Sequence, residues 1–246
     1  TASNLSGYAN LYEMNAGTFE ITEHRLTGDA IPKISGAYGA YNRAVLINNN
    51  SAIGFVSTTD DPAIVIKLPE ITETSYIYSM TDYQVRKLAG IFAPANGSVS
   101  MRSVTPQEWI DSDPGQEGLK GVTADWAGGI GDPATGKLYA FGGGHNGSAN
   151  NGLYCYDFSG LSRPTGFTLK EISAVSAARR EDVTPGQSTQ YTDGKPWAKH
   201  TYDSMVFVDD KIYIFGGGNY AAGTGPAAND NWKFANGTWT RLPDWP

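Results

Sequence analysis

The sequence predicts an all-β protein, and three observations predict it. Short apolar runs such as "AVLI", "KLYAF" and "KIYIF", bounded by turn-forming residues, have the length and the β-branched and aromatic content of strands. Thirty Gly and 13 Pro punctuate these runs and imply many tight turns. Only 17% of the 246 residues are charged, and polarity comes instead from Gly, Asn, Ser and Thr with 14 Tyr. That mixture suits strands and turns better than helical surfaces, which are built from Glu, Lys, Arg and Ala.

Taken in order, "NLYEMNAGTFEITEHRL" holds two alternating segments around Asn15–Gly17 and predicts a hairpin. In "RAVLINNNSAIGFVSTTDDPAIVIKLP" the apolar runs at 44–47, 53–56 and 63–66 are separated by turn-forming residues, which predicts a three-stranded meander. "MTDYQVRKLAGIF", residues 80–92, is the best helix candidate, with Thr81 as cap and Tyr83, Val85, Leu88 and Ile91 on one face. "TPQEWIDSDPGQEGLKG" reads as a strand end running into a polar loop.

From Asp125 the chain repeats itself. "DWAGGIGDPATGKLYAFGGGHNGSANNGLYCYDFSG" aligns with "HTYDSMVFVDDKIYIFGGGNYAAGTGPAANDNWKFANGTWTRLP". Each copy reads as a strand, a short turn with Gly136–Lys137 or Asp210–Lys211, and then apolar–Tyr–apolar–Phe. Three glycines follow, Gly142, Gly143 and Gly144 in the first copy and Gly216, Gly217 and Gly218 in the second. A polar loop then leads to an aromatic strand and a closing strand, and residues 173–199 read as an insertion. Four short strands per unit with a Gly-rich break after the second is the layout of a propeller blade.

These segments, roughly residues 109–246, resemble Kelch-type repeats of the galactose-oxidase-like β-propellers found in bacteriophage virion proteins and bacterial surface proteins. The resemblance implies an all-β, Kelch-like β-propeller over 106–246, partial or continuing beyond the chain. A divergent β-rich region, 1–105, precedes it as an attachment domain or as degenerate blades. It further implies that Phe141 and Phe215, just ahead of the glycines, are structural positions between adjacent blades. The glycines themselves are expected to end an inner strand where φ is positive and another backbone comes close.

Rival readings of the glycines fare worse. A phosphate cradle opens a helix and usually carries a Lys, whereas "FGGGHN" leads to another strand. The copper site of galactose-oxidase relatives needs two His, two Tyr and a Cys joined to one Tyr. Here His24, His145 and His200 are isolated, and Cys155 adjoins Tyr154 and Tyr156, which point to the opposite face from it. The carboxylates available to a hydrolase, at Asp60–Asp61, Asp111–Asp113 and Asp209–Asp210, sit in turn contexts where Asp caps its own backbone. Cys155 is expected to be a small core residue, and His200 to fix the start of a blade by hydrogen bonding.

Net charge is −7 and the sequence pI about 4.9, with no Lys/Arg stripe, which argues against nucleic acid and anionic membrane surfaces as partners. No apolar run approaches the ~18 residues of a membrane span. The expected function is therefore a non-enzymatic structural or recognition protein of a virion, as a tail fibre or decoration module, or of a cell surface. Its partners would be virion or envelope proteins and a host-surface glycan, within a homo-oligomeric or larger assembly, and it would need no cofactor and no metal. The binding surface would be the long loops after the glycines, with His145, Asn146, Asn150, Asn151, Asn219 and Tyr220 as candidate contacts. The alternative is a secreted or virion-borne glycan-acting enzyme, hydrolase or oxidase, on the same scaffold.

Overall fold

In the computed structural model of the protein, the described residues are 10–15, 17–28, 44–47, 52–55, 64–68, 84–87, 90–93, 102–103, 128–142, 151–159, 167–174, 176, 190–218 and 227–244. Among them every regular element is a strand.

Strands β1 (Asn10–Met14) and β2 (Ile21–Arg25) form the expected antiparallel hairpin, in register from Asn10↔Arg25 to Met14↔Ile21. Its turn is held by Asn15, whose Oδ1 accepts hydrogen bonds from the backbone N–H of Gly17 (2.8 Å) and Thr18 (3.1 Å). After it come β3 (Thr27–Gly28), β4 (Ala44–Ile47), β5 (Ala52–Phe55), β6 (Ile64–Lys67) and β7 (Gln84–Lys87). They make a first sheet in the order β3-β7-β6-β5-β4, in which β4 to β7 run antiparallel and β3 lies parallel to β7. The predicted meander is present and gains a fourth strand.

That fourth strand corrects the sequence reading of residues 80–92. Instead of a helix, the described part of the segment is β7 followed by β8 (Gly90–Ala93). The two lie in different sheets: β7 pairs with β6, and β8 runs parallel to a strand of the second sheet. Gly90 is a poor helix interior residue, and β-branched Val85 and Ile91 fit a pleated surface. Pairing of β7 with β3 and β6, and of β8 with residues 102–103 and 167–170, gives the backbone groups of these strands partners as a helix would.

The second sheet follows the order β10-β11-β12-β13-β8-β9, with β9 at Arg102–Ser103, β10 at Gly128–Asp132, β11 at Lys137–Phe141, β12 at Leu153–Asp157 and β13 at Phe167–Ser173. The third is a plain antiparallel meander of β14 (Met205–Val208), β15 (Lys211–Gly218), β16 (Ala227–Ala235) and β17 (Thr238–Leu242). Each of the two sequence repeats thus builds four consecutive antiparallel strands. The sheets also cross the expected 105/106 boundary, because β8 and β9 precede it in sequence yet extend the second sheet.

The sheets stack in a row through their first strands, β4 against β10 and β10 against β14. Val45 of β4 lies against the backbone of Gly131 in β10. Between the second and third sheets sits the main core, where Phe141 and Leu153 meet Met205, Ile212, Ile214, Trp232 and Phe234. Tyr139 stacks on Phe207 with ring centroids 5.3 Å apart, and Trp239 meets Phe141 at the same distance. On the far side of the first sheet, Leu11 of the hairpin packs with Leu26, Ile53, Ile64 and Ile66. Among the described residues the row does not close into a ring.

Candidate functional site

The loops that leave the glycine-marked strands start from one end of the second and third sheets, where Gly128 and Phe141 face the segment leading into β14. What the described residues show there is the base from which the loops rise, and it is built from buried polar groups.

Two hydrogen bonds tie the second sheet to the segment leading into β14, and a backbone pair ties that segment to β15. Thr201, fully buried, donates from Oγ1 to the Phe141 carbonyl (2.7 Å) and accepts from the Gly128 backbone N–H (2.6 Å). The junction is tight enough that a Cβ on Gly128 would lie 2.0 Å from the Tyr202 carbonyl oxygen. His200 pairs through its backbone with Gly218, its N–H donating over 2.7 Å and its carbonyl accepting over 3.3 Å. Its ring meets Tyr202 edge-on, with Nδ1 3.3 Å from the phenol oxygen.

Beside it lies a buried ion pair that sequence reasoning missed. Lys199 Nζ is 2.7 Å from Asp230 Oδ2, and both side chains are buried. The Trp232 indole N–H donates to the same Asp230 oxygen. Burial pushes the Lys199 ammonium below its usual range, and Asp230 pulls the other way. Such a pair adds little net stability over an apolar isostere, but losing one partner leaves a charge stranded in the interior. A lone Lys within "PWAKHT" was the available signal, yet nothing in the sequence pairs it with an Asp 31 positions away.

A second polar knot fixes the insertion. Asn151 Nδ2 donates to Ser176 Oγ (2.8 Å) and to the Pro196 carbonyl (2.9 Å), while its Oδ1 accepts from the Ser176 N–H (2.8 Å). Ser176 Oγ in turn donates to Asp193 (2.8 Å to Oδ2), which also faces Lys195 Nζ at 3.2 Å. Burial alone would raise the Asp193 carboxyl, but hydrogen bonds from Ser176 and Lys195 outweigh it and hold the group below its usual value. Of the expected contact residues, Asn151 is therefore a buried clamp whose polar atoms are engaged inside the protein. His145, Asn146, Asn150, Asn219 and Tyr220 lie outside the described residues, as do Gly143 and Gly144.

The described glycines of the repeats are buried or half-buried at strand ends. Gly216 and Gly217 have φ of 63° and 107°, and they absorb a register shift between β15 and β16. A Cβ on Gly217 would stand 2.6 Å from the His200 carbonyl oxygen. Phe141 is fully buried between the second and third sheets, while Phe215 is half-buried and stacks on Tyr213 with centroids 6.2 Å apart.

The side chains weighed for chemistry are dispersed. Asp209 and Asp210 form the exposed β14–β15 turn with φ of 49° and 56°. Asp60, Asp61, Asp111 and Asp113 lie outside the described residues. His24 is on the hairpin, 2.9 Å from Glu13. Cys155 is buried in β12, and burial first, then the Asp157 charge, pushes its thiol up to about 12, so it is the inert core residue expected. Among the described residues no three His, Cys, Asp or Glu side chains come together. Among the described residues no helix is long and apolar enough to cross a membrane.

No protein-family model matches the chain, and no curated protein compared with it is similar.

Proposed function

We propose that the protein is a non-enzymatic structural and recognition module of a virion or cell surface, its three sheets serving as successive blades of a Kelch-like propeller. The observation that supports this most directly is the buried polar base at one end of the second and third sheets. Residues 142–151 and 218–227 start and end at that base and carry Gly with Asn, Ser and Tyr, the chemistry of adaptable polar contacts and ring stacking. A rigid stack that gathers such loops at one end is suited to binding an exposed glycan or a surface protein.

Binding of the purified protein to a glycan array and to intact host cells tests the recognition half. The expected result is saturable binding that is lost when 219–226 is replaced by a Gly/Ser linker, with unfolding unchanged. No binding to any glycan or cell surface would overturn it. Detection of the protein in purified particles or envelopes tests the structural half, and its absence from both would overturn that half.

A further inference from the structure

We infer that Asn236 is a self-modifying position: its side chain cyclises onto the Gly237 nitrogen, and water opens the ring to isoaspartate and aspartate. The chemistry is independent of what the loops bind.

Asn followed by Gly is the step most open to this reaction, because glycine has no Cβ to screen its backbone nitrogen. Four such steps occur in the sequence, Asn96–Gly97, Asn146–Gly147, Asn151–Gly152 and Asn236–Gly237. The first two lie outside the described residues. The last two are the same dipeptide in opposite settings.

Asn236 and Gly237 are the central residues of the turn between β16 and β17, closed by the Ala235↔Thr238 pair. Their φ values of 50° and 75° are both positive, as a two-residue hairpin turn of this kind requires. Both are exposed, and a Cβ placed on Gly237 would meet nothing within 4 Å. Among the described residues β17 pairs with β16 alone, so one strand end is all that must loosen to bring the side chain round to the Gly237 nitrogen.

Asn151 is held the other way. It is fully buried, its Nδ2 donates to Ser176 and to the Pro196 carbonyl, and its Oδ1 accepts from the Ser176 N–H. Turning its Cγ toward the Gly152 nitrogen would break all three hydrogen bonds inside the protein. The space over Gly152 is also filled, since a Cβ there would lie 2.8 Å from the Tyr154 side chain.

The reaction needs only water. The Gly237 nitrogen attacks Asn236 Cγ, the Cγ–Nδ2 bond breaks, and ammonia leaves with the amide proton. Water then opens the imide. Cleavage beside the main-chain carbonyl gives isoaspartate, and cleavage beside Cγ gives aspartate. Either product carries a new carboxylate. Isoaspartate also routes the backbone through Cβ, which lengthens a turn that has only two residues. Trp239, just beyond the turn, packs on Phe141, Trp232 and Phe234, so the lengthened turn bears on the core shared by the second and third sheets.

Peptide mapping by mass spectrometry of the folded chain, held at mildly alkaline pH, tests this. Trypsin cuts after Lys233 and Arg241 and so separates Asn236 from the other Asn–Gly steps. The expected result is a gain of about 1 Da in that peptide, mostly as isoaspartate, appearing at least tenfold (roughly) faster than at Asn151. In concentrated urea the two positions should convert at similar rates, because the fold is what separates them. Gly237→Ala, read in urea so that folding does not enter, should slow conversion of Asn236 by about tenfold, since a methyl then screens the nitrogen. An Asn236 that stays intact in the folded chain, or converts no faster than Asn151, would overturn the inference. So would a Gly237→Ala variant that converts as fast as the parent in urea.

Discussion

The second and third sheets are written in nearly the same words and buried in different ways. "KLYAF" in β11 and "KIYIF" in β15 occupy the same strand of their respective repeats. Tyr139 and Phe141 face the third sheet, and Phe141 is shut away completely. Tyr213 and Phe215, their counterparts, are half-buried on the face turned away from the core, where they stack on one another. The side chains that the third sheet does commit to the shared core are Ile212 and Ile214. The difference teaches that in a stacked array one local pattern acquires two energetic roles, according to whether its face lies against the shared core or away from it.

The sharpest way to test this is to truncate the matching aromatics. Phe141→Ala should cost about 3–5 kcal/mol, because the cavity would open inside a filled core. Phe215→Ala should cost roughly half as much, since part of that ring is already hydrated. Urea denaturation of the two variants makes the comparison, and equal losses would break it.

The buried pair at the junction comes next. Lys199→Met should destabilise by about 3 kcal/mol by stranding Asp230, and adding Asp230→Leu should recover most of that loss. Chemical denaturation of the single and double variants measures the coupling. If the double variant is as unstable as the single, the pair does more than neutralise itself.

Glycine contrasts within the third sheet should be smaller. Gly217→Ala is expected to cost about 2 kcal/mol, from a φ of 107° and the His200 carbonyl oxygen 2.6 Å from the new Cβ. Gly237→Ala keeps a φ of 75° in open space and should cost about 1 kcal/mol. Thermal unfolding of both variants ranks them.

The smallest effect distinguishes the sheets by pH. Burial works to raise the Asp157 carboxyl in the second sheet, but hydrogen bonds from Ser159 and Lys170 prevail and hold it below its usual value. Its contribution is therefore present above the ordinary carboxylate pKa and fades as pH falls through the depressed one. The matching position in the third sheet is Ala235, which does not titrate. Asp157→Asn should remove under about 1 kcal/mol of stability at pH 7 and flatten the loss of stability as pH falls below the ordinary carboxylate range. Denaturation curves across that range measure it.

Much of the fold was legible because strand period and turn chemistry are local. The hairpin about Asn15, the meander from residue 44 and the repeated four-strand units could all be read from alternation broken by Gly, Asn, Asp and Pro. The base of the loops was far less legible. Asn151 reads as a loop residue beside Asn150, and only contact with Ser176 and Pro196 makes it a clamp. Lys199 and Asp230 each look ordinary until the chain brings them together.

The sequence by itself determined most of the strands and which residues of each share a face, because side chains alternate with a fixed period of two. Tertiary structure alone decided which face meets a neighbour, because that depends on what the chain places beside each sheet. It placed residues 84–87 and 90–93 inside two different sheets and buried Phe141 more deeply than Phe215.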